Sequence, residues 1–216
     1  CSKACLGHTT GRLIYTQSQL SQLYKTMYFQ INPFPFLLKL IREIVNHCIN
    51  CKRKGKIPAI RLNGSSDLVW GRYLDIDLMI ELIFCWVAIE LKIYDYTKYP
   101  FNAYRKVCGG KIPENYRLTF SISEDPRSVE YARQWIEKGY NACVVVRSED
   151  GKLKSSKEVQ LKICNTEWFE LDGVQFHPVN ADLTDARFFD PKGSLGILHA
   201  KGPIALKDET GFVRIV

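Results

Sequence analysis

Apolar positions along the chain keep switching between two periods. Leu13, Tyr15, Leu20, Leu23, Tyr24, Met27 and Phe29 recur at mostly helical spacing, with Ser and Gln between them. Pro33 and Pro35 interrupt that helix, and Pro35 suits the first turn of a second one carrying Phe36, Leu37, Leu40, Ile41, Ile44, Val45 and Cys48. Lys52, Arg53 and Lys54 favour a helix C-terminus, and Gly55 its cap. Short apolar strands then alternate with helices. The pattern predicts strands over 58–63, 91–96, 116–122, 142–146, 174–179 and 194–200, with helices over 76–88, 100–107 and 125–137. Ala142 to Val146 is continuously apolar, as in a strand buried on both faces. Such alternation implies right-handed βα units on a mostly parallel sheet. The stretch 148–173 loosens the pattern and reads as a charged loop or an insertion. The expected architecture is one α/β domain over 1–216, with a cysteine loop over 1–11, N-terminal helices and about six mostly parallel strands in a partial or open (βα) barrel. A doubly wound sheet is the alternative.

Composition narrows the class. A chain of 216 residues suffices for one domain with a sizeable core. Hydrophobic residues at 46% and aromatics at 12% place it among globular chains. The longest apolar run, 79–89, is broken by Glu81 and fits a buried helix, so no membrane partner is expected. A net charge of +7 permits contact with nucleic acid or an anionic ligand without requiring it. Of the eight cysteines, Cys85, Cys143 and Cys164 have apolar neighbours and read as small core residues. A domain of this size needs no disulfide staples, so a reducing cytoplasmic setting is expected. The chain begins at Cys1, which reads as a fragment or a processed form.

Polar residues gather where the predicted strands end. Arg61-Leu62-Asn63-Gly64-Ser65-Ser66-Asp67 follows the first strand, and Tyr94-Asp95-Tyr96-Thr97-Lys98 closes the second. Thr119 to Glu124 closes the third, and Asn180 to Asp185 follows a later one. Any single such turn is most simply a cap, because Asp and Ser bond their own backbone. Four in series on parallel strands point to a shared mouth. Asp67, Asp95, Lys98 and Asp182 are the candidate catalytic residues: carboxylates serve as bases or metal ligands, and a desolvated lysine binds anions or forms a Schiff base. Arg61, Asn63, Ser66, Thr119, Ser121, Asp185 and Arg187 are the candidate substrate-binding residues. Charges alternate tightly from Asp182 to Gly193, which predicts an Arg187–Asp pair. His177 reads as a core or edge residue, and His47 and His199 show no partner pattern.

Cys1-x3-Cys5-x2-His8 offers two thiolates and an imidazole on a glycine-containing loop, a set that suits a metal or an iron–sulfur cluster. A 4Fe-4S cluster held by three ligands leaves one iron open to S-adenosylmethionine. Cys48-x2-Cys51 lacks a second pair and reads as ordinary helix residues. No GxGxxG or phosphate-loop motif occurs, which argues against Rossmann or P-loop nucleotide enzymes. Lys52–Lys56 is the densest basic run, and Lys152, Lys154 and Lys157 form a weaker one.

Cys5-Leu6, Gly11-Arg12, Arg61 to Asp67, Tyr94 to Lys98, Leu118 to Ser121, Arg187-Phe188-Phe189-Asp190-Pro191 and Ala200-Lys201-Gly202 together resemble a family carried by bacteriophages and plasmids. The chain is similar to the phage "gene product 88" type proteins over nearly its whole length. The resemblance implies an N-terminal cysteine cluster ahead of barrel-like βα units, distantly like radical S-adenosylmethionine enzymes, in a bacterial host. Cys1 and Cys5 stand for the last two of those cysteines, and His8 occupies the third position of a CxxxCxxC spacing. Three readings follow: a mobile-element enzyme with a strand-end site, a basic nucleic-acid-binding protein, and a structural or host-interaction protein.

Overall fold

The computed structural model describes residues 15–64 and 66–216. Two helices lead, α1 (Thr16–Ile31) and α2 (Pro33–Arg53). The prolines open α2, where their missing N–H groups leave no intrahelical bond unmade. Lys52 and Arg53 fill its last turn. Lys52 Nζ donates to the Val87 carbonyl at 2.5 Å, tying the end of α2 to the end of α3 (Ile76–Val87). Asp75 caps α3 by accepting from Leu78 N at 3.0 Å. Helix α1 has no fully buried residue, and Phe29 anchors it edge-on against Phe36 and Tyr73.

The remaining elements are β1 (Ala59–Arg61), β2 (Lys92–Thr97), α4 (Phe101–Val107), β3 (Tyr116–Ser121), α5 (Ser128–Glu137), β4 (Asn141–Arg147) and α6 (Leu153–Cys164). They are followed by β5 (Phe169–Leu171), β6 (Val174–Asn180), β7 (Ser194–His199), α7 (Pro203–Leu206) and β8 (Val213–Ile215). One sheet runs β1-β2-β3-β4-β7-β6-β5, and β8 also pairs with β4. Every pairing is parallel except the β5–β6 hairpin. The class is α/β with a mostly parallel open sheet, and all six predicted strands are present. Strands β5 and β8, three residues each, are too short to show a period in the sequence.

Helix α6 forms where 148–173 reads as a loop or insertion. Its buried side includes Ser156 and Gln160, so no apolar stripe marks it. Gln160 Nε2 donates to Asn180 Oδ1 at 2.8 Å and to the Ile197 carbonyl at 3.0 Å. One core expectation is corrected: Cys85 is exposed, on the solvent side of α3 beside Trp86, while Cys143 is buried and Cys164 half-buried.

Strand order decides what covers each face. The steps β1 to β4, and on to β6, all run one way across the sheet, so right-handed crossovers put α3 to α6 on one face. That face is lined by Ile93, Tyr116, Leu118, Phe120, Val144 and Ile197. Trp135 of α5 is fully buried there among Phe101, Tyr104, Phe120 and Tyr140, and its Nε1 donates to the Tyr99 carbonyl at 3.0 Å. The steps β6 to β7 and β7 to β8 run back, so the same rule puts segments 181–193 and 200–212 on the opposite face. Contacts agree: the Phe188 ring lies 5.7 Å from that of Tyr94, and Lys98 Nζ lies 4.6 Å from the Phe212 ring centre.

Candidate functional site at the strand ends

Strand β4 is shared along one edge by two neighbours. Asn141 to Cys143 pair with β3, and Val145 to Arg147 pair with β8. The sheet therefore splits where β3 leaves and β8 begins, and Arg214 bridges the split by donating to the Ser123 carbonyl at 3.3 Å. Open α/β sheets take ligands beyond the carboxyl ends of their strands, the end at which this split lies.

Lys98 follows β2 at this split. Its Nζ is buried, makes no hydrogen bond among the described residues, and lies 4.6 Å from the Phe212 ring centre. Asp67 reaches over from the end of β1, and its Oδ2 accepts from Lys98 N at 2.7 Å. Among the described residues Asp67 Oδ1 is buried with no hydrogen-bond partner, and burial raises the carboxyl pKa against the opposing donors. Glu124 Oε2, beyond β3, is also buried and unpartnered. Three such atoms on consecutive strand ends are unusual, because buried polar groups are nearly always satisfied.

Below the split lies a polar surface. Burial pushes the Cys143 thiol up to about 11, against a hydrogen bond from Ser121 and the positive charges of Lys98, Arg187 and Arg61. Arg61 lies over the Tyr96 ring at 4.6 Å, and its Nε donates to the Asn63 carbonyl at 2.8 Å. Arg187 is 2% exposed, pairs with Asp190 at 3.1 Å and donates to the Ala181 carbonyl at 3.0 Å. The predicted Arg187–Asp pair thus pins the returning segment onto the sheet. Asp185 lies close enough to oppose ionisation of Tyr94 and Tyr96, both held above their ordinary range chiefly by burial. Buried Thr119 borders a cavity of about 20 Å³ with Asn141, Arg187 and Asp190, room for about one water.

The remaining candidates serve the fold more than the split, although Arg61 Nε lies 3.8 Å from Asp95 Oδ1. Asp95 points to the helix-covered face, is completely buried, and accepts from Leu62 N at 3.2 Å, Asn63 N at 2.8 Å and the Tyr116 hydroxyl at 2.5 Å. Burial pushes its carboxyl up to about 6, against those donors. Its oxygens are engaged in holding the β1 exit against β2 and β3. Asn63 is 2% exposed, and its Oδ1 accepts from Ser66 Oγ, Leu68 N and Trp70 Nε1. Asn63 and Ser66 therefore shape the loop that delivers Asp67.

Asp182 stays at the end of β6, while Asp185 and Arg187 travel back over β2 and β3. Its partner is a residue that showed no pattern in the sequence: His199 Nδ1 lies 2.5 Å from Asp182 Oδ2. Only the β6–β7 pairing brings the two together. Phe212 and Cys143 were likewise invisible as site residues, since each is apolar in context.

Other features fall elsewhere. A roomier cleft of about 540 Å³ opens at the opposite ends of β2 and β3, bordered by Asp77, Glu81, Glu90, Glu114, Lys92 and Arg117. Lys52–Lys56 precede β1, whereas Lys152–Lys157 follow β4, so the two basic runs occupy opposite ends of the sheet. Cys1, Cys5 and His8 lie outside the described residues. Among the described residues no three His, Cys, Asp or Glu side chains are grouped to hold a metal ion, and no helix is long and apolar enough to cross a membrane.

A family model described as Gene product 88 matches residues 1–214, from the first cysteine into β8. The chain belongs to the Gene product 88 family. No curated protein and no solved structure matches it. In this Gene product 88 chain, Lys98 and Asp67 stand at the rim of the split between β3 and β8.

Proposed function

We propose that the chain is an enzyme that performs acid–base chemistry on a small anionic substrate at the split between β3 and β8. The observation that carries this reading is the Lys98 ammonium, buried at a strand end with no hydrogen-bond partner among the described residues. A fold tolerates such a group when it serves a ligand, because an unpaired buried cation costs stability. Arg61 and Arg187 add positive charge around Cys143, and both already have protein partners. Unlike either, Lys98 has no hydrogen-bonded side-chain nitrogen among the described residues, and it is left to meet an anionic group. Asp67, with one free oxygen and a raised pKa, is the neighbouring proton donor or acceptor. The proposal does not depend on a metal at Cys1, Cys5 and His8. A nucleic-acid role has weaker support, because the two basic runs do not share a face.

The test is a thermal-shift screen of the protein against phosphate esters, carboxylates and sulfates, run in parallel on Lys98→Met. Expected is a class of small anion that raises the melting temperature of the wild type and not of the variant. Equal shifts in both proteins, or none with any class, would overturn the reading.

A further inference from the structure

At the far side of the same sheet end, Asp182 and His199 form a second polar arrangement. Asp182 Oδ2 accepts from the His199 backbone N at 3.0 Å and lies 2.5 Å from its ring Nδ1. Asp182 Oδ1 accepts from Lys201 Nζ at 2.6 Å. Burial favours the neutral acid, but the bonds from Lys201 and His199 outweigh it and hold the Asp182 carboxyl below its ordinary range. An ionised carboxylate on Nδ1 fixes the imidazole as the Nδ1–H tautomer, leaving the Nε2 lone pair free. The ring is mostly covered, with 12% of the side chain exposed. Nε2 makes no hydrogen bond to the described residues, and it is not among their sealed, unpartnered polar atoms. The support behind Asp182 is continuous: Asp182 N donates to Asn180 Oδ1, which also accepts from the buried Gln160.

We propose that His199 Nε2 is a general base that takes a proton from water, which then attacks an ester. This site is distinct from the Lys98 split. The end of β7 lies three strand steps from the end of β2, about 14 Å away. By strand register His199 also shares the helix-side face with Val146 and Ile197, opposite to Lys98. In the step, Nε2 accepts a proton from water, the hydroxide oxygen bonds to the carbonyl carbon or phosphorus, and the ester C–O or P–O bond breaks. The leaving oxygen receives the proton held on Nε2. Lys201 Nζ, 2.6 Å from Asp182 Oδ1, helps to keep the carboxylate behind the ring ionised.

The probes are p-nitrophenyl acetate and p-nitrophenyl phosphate, which separate carboxylic from phosphoric esters. The expected result is hydrolysis of one of them above the rate of equimolar free imidazole. That rate falls at least ten-fold in His199→Gln and Asp182→Ala, and His177→Gln leaves it unchanged. Hydrolysis of neither ester, or a rate retained by His199→Gln, would sink the proposal. If the variants fail to fold, long-range proton–nitrogen correlation on the wild type decides. A bare Nε2 with a protonated Nδ1 supports the base, and a protonated Nε2 at neutral pH overturns it.

Discussion

The Tyr116 hydroxyl donates to Asp95 at 2.5 Å beneath the sheet, where Asp95 also receives the backbone N–H groups of Leu62 and Asn63. One carboxylate thus joins β1, β2 and β3 on the face away from the proposed site. Tyr116→Phe removes a donor and leaves a buried charge less satisfied. A loss of about 1–3 kcal/mol of unfolding free energy is expected by urea denaturation, with near-native circular dichroism.

Asp95 also sets a pH dependence. Its folded pKa of about 6 exceeds the ordinary 3.8 because burial disfavours the charged form. The folded state therefore holds the proton more tightly than the unfolded state. The stability tied to that proton is fully present below about pH 4 and is lost as pH rises through about 6. The shift corresponds to about 3 kcal/mol. Subtracting the pH profile of Asp95→Asn from that of the wild type between pH 4 and 7 should expose a decline of this size. A flat difference would refute the assignment.

Lys98 should behave as a residue kept for function at a cost in stability. Lys98→Met retains the length of the side chain, keeps the contact with Phe212 and removes the unpaired ammonium. The variant is expected to unfold at higher urea, by roughly 1 kcal/mol or more in free energy. A destabilised Lys98→Met would mean that the ammonium has a partner that holds the fold together.

Asn63 organises the loop carrying Asp67 through four hydrogen bonds, three of them to one oxygen. Asn63→Ala strands the indole N–H of Trp70, which is 4% exposed. The expected cost is about 3 kcal/mol, with accelerated amide exchange at Leu68.

Gly196 permits the close approach of the β6–β7 turn to the sheet. A Cβ there would stand 3.0 Å from Ala181 Cβ and 3.5 Å from the Ala142 carbonyl oxygen. Gly196→Ala should lower stability by about 1–3 kcal/mol and reduce any activity that depends on the adjoining Asp182–His199 pair. Calorimetry and the ester assay report the two effects separately.

Legibility in the sequence varied with how local the signal was. Strands β2, β3 and β4 were readable because a strand covered on both sides needs apolar residues at most positions, and Ala142 to Val146 meet that need alone. Helix α6 was not, because its inner side is satisfied by specific hydrogen bonds, from Ser148 N to Ser156 Oγ and from Gln160 to the Ile197 carbonyl, rather than by burial of carbon. Asp67 and Lys98 were legible as strand-end residues, and their proximity follows from β1 and β2 being neighbours. Asp95 was legible as polar in an apolar strand. Its orientation to the helix side follows from strand register, which no local pattern carries.

By itself the sequence determined the α/β class, the parallel sense of the sheet, the polar ends of the strands and the Gene product 88 resemblance. Each of these depends on local period, turn chemistry or motif. Only the tertiary structure decided that the chain reverses direction after β6. That reversal brings Phe188 against Tyr94, places Phe212 against Lys98 and joins Asp182 to His199. The physical reason is that strand order is a non-local choice. It is made by which edges pair and which crossovers stay right-handed, and residues far apart in the chain become neighbours only once that choice is made.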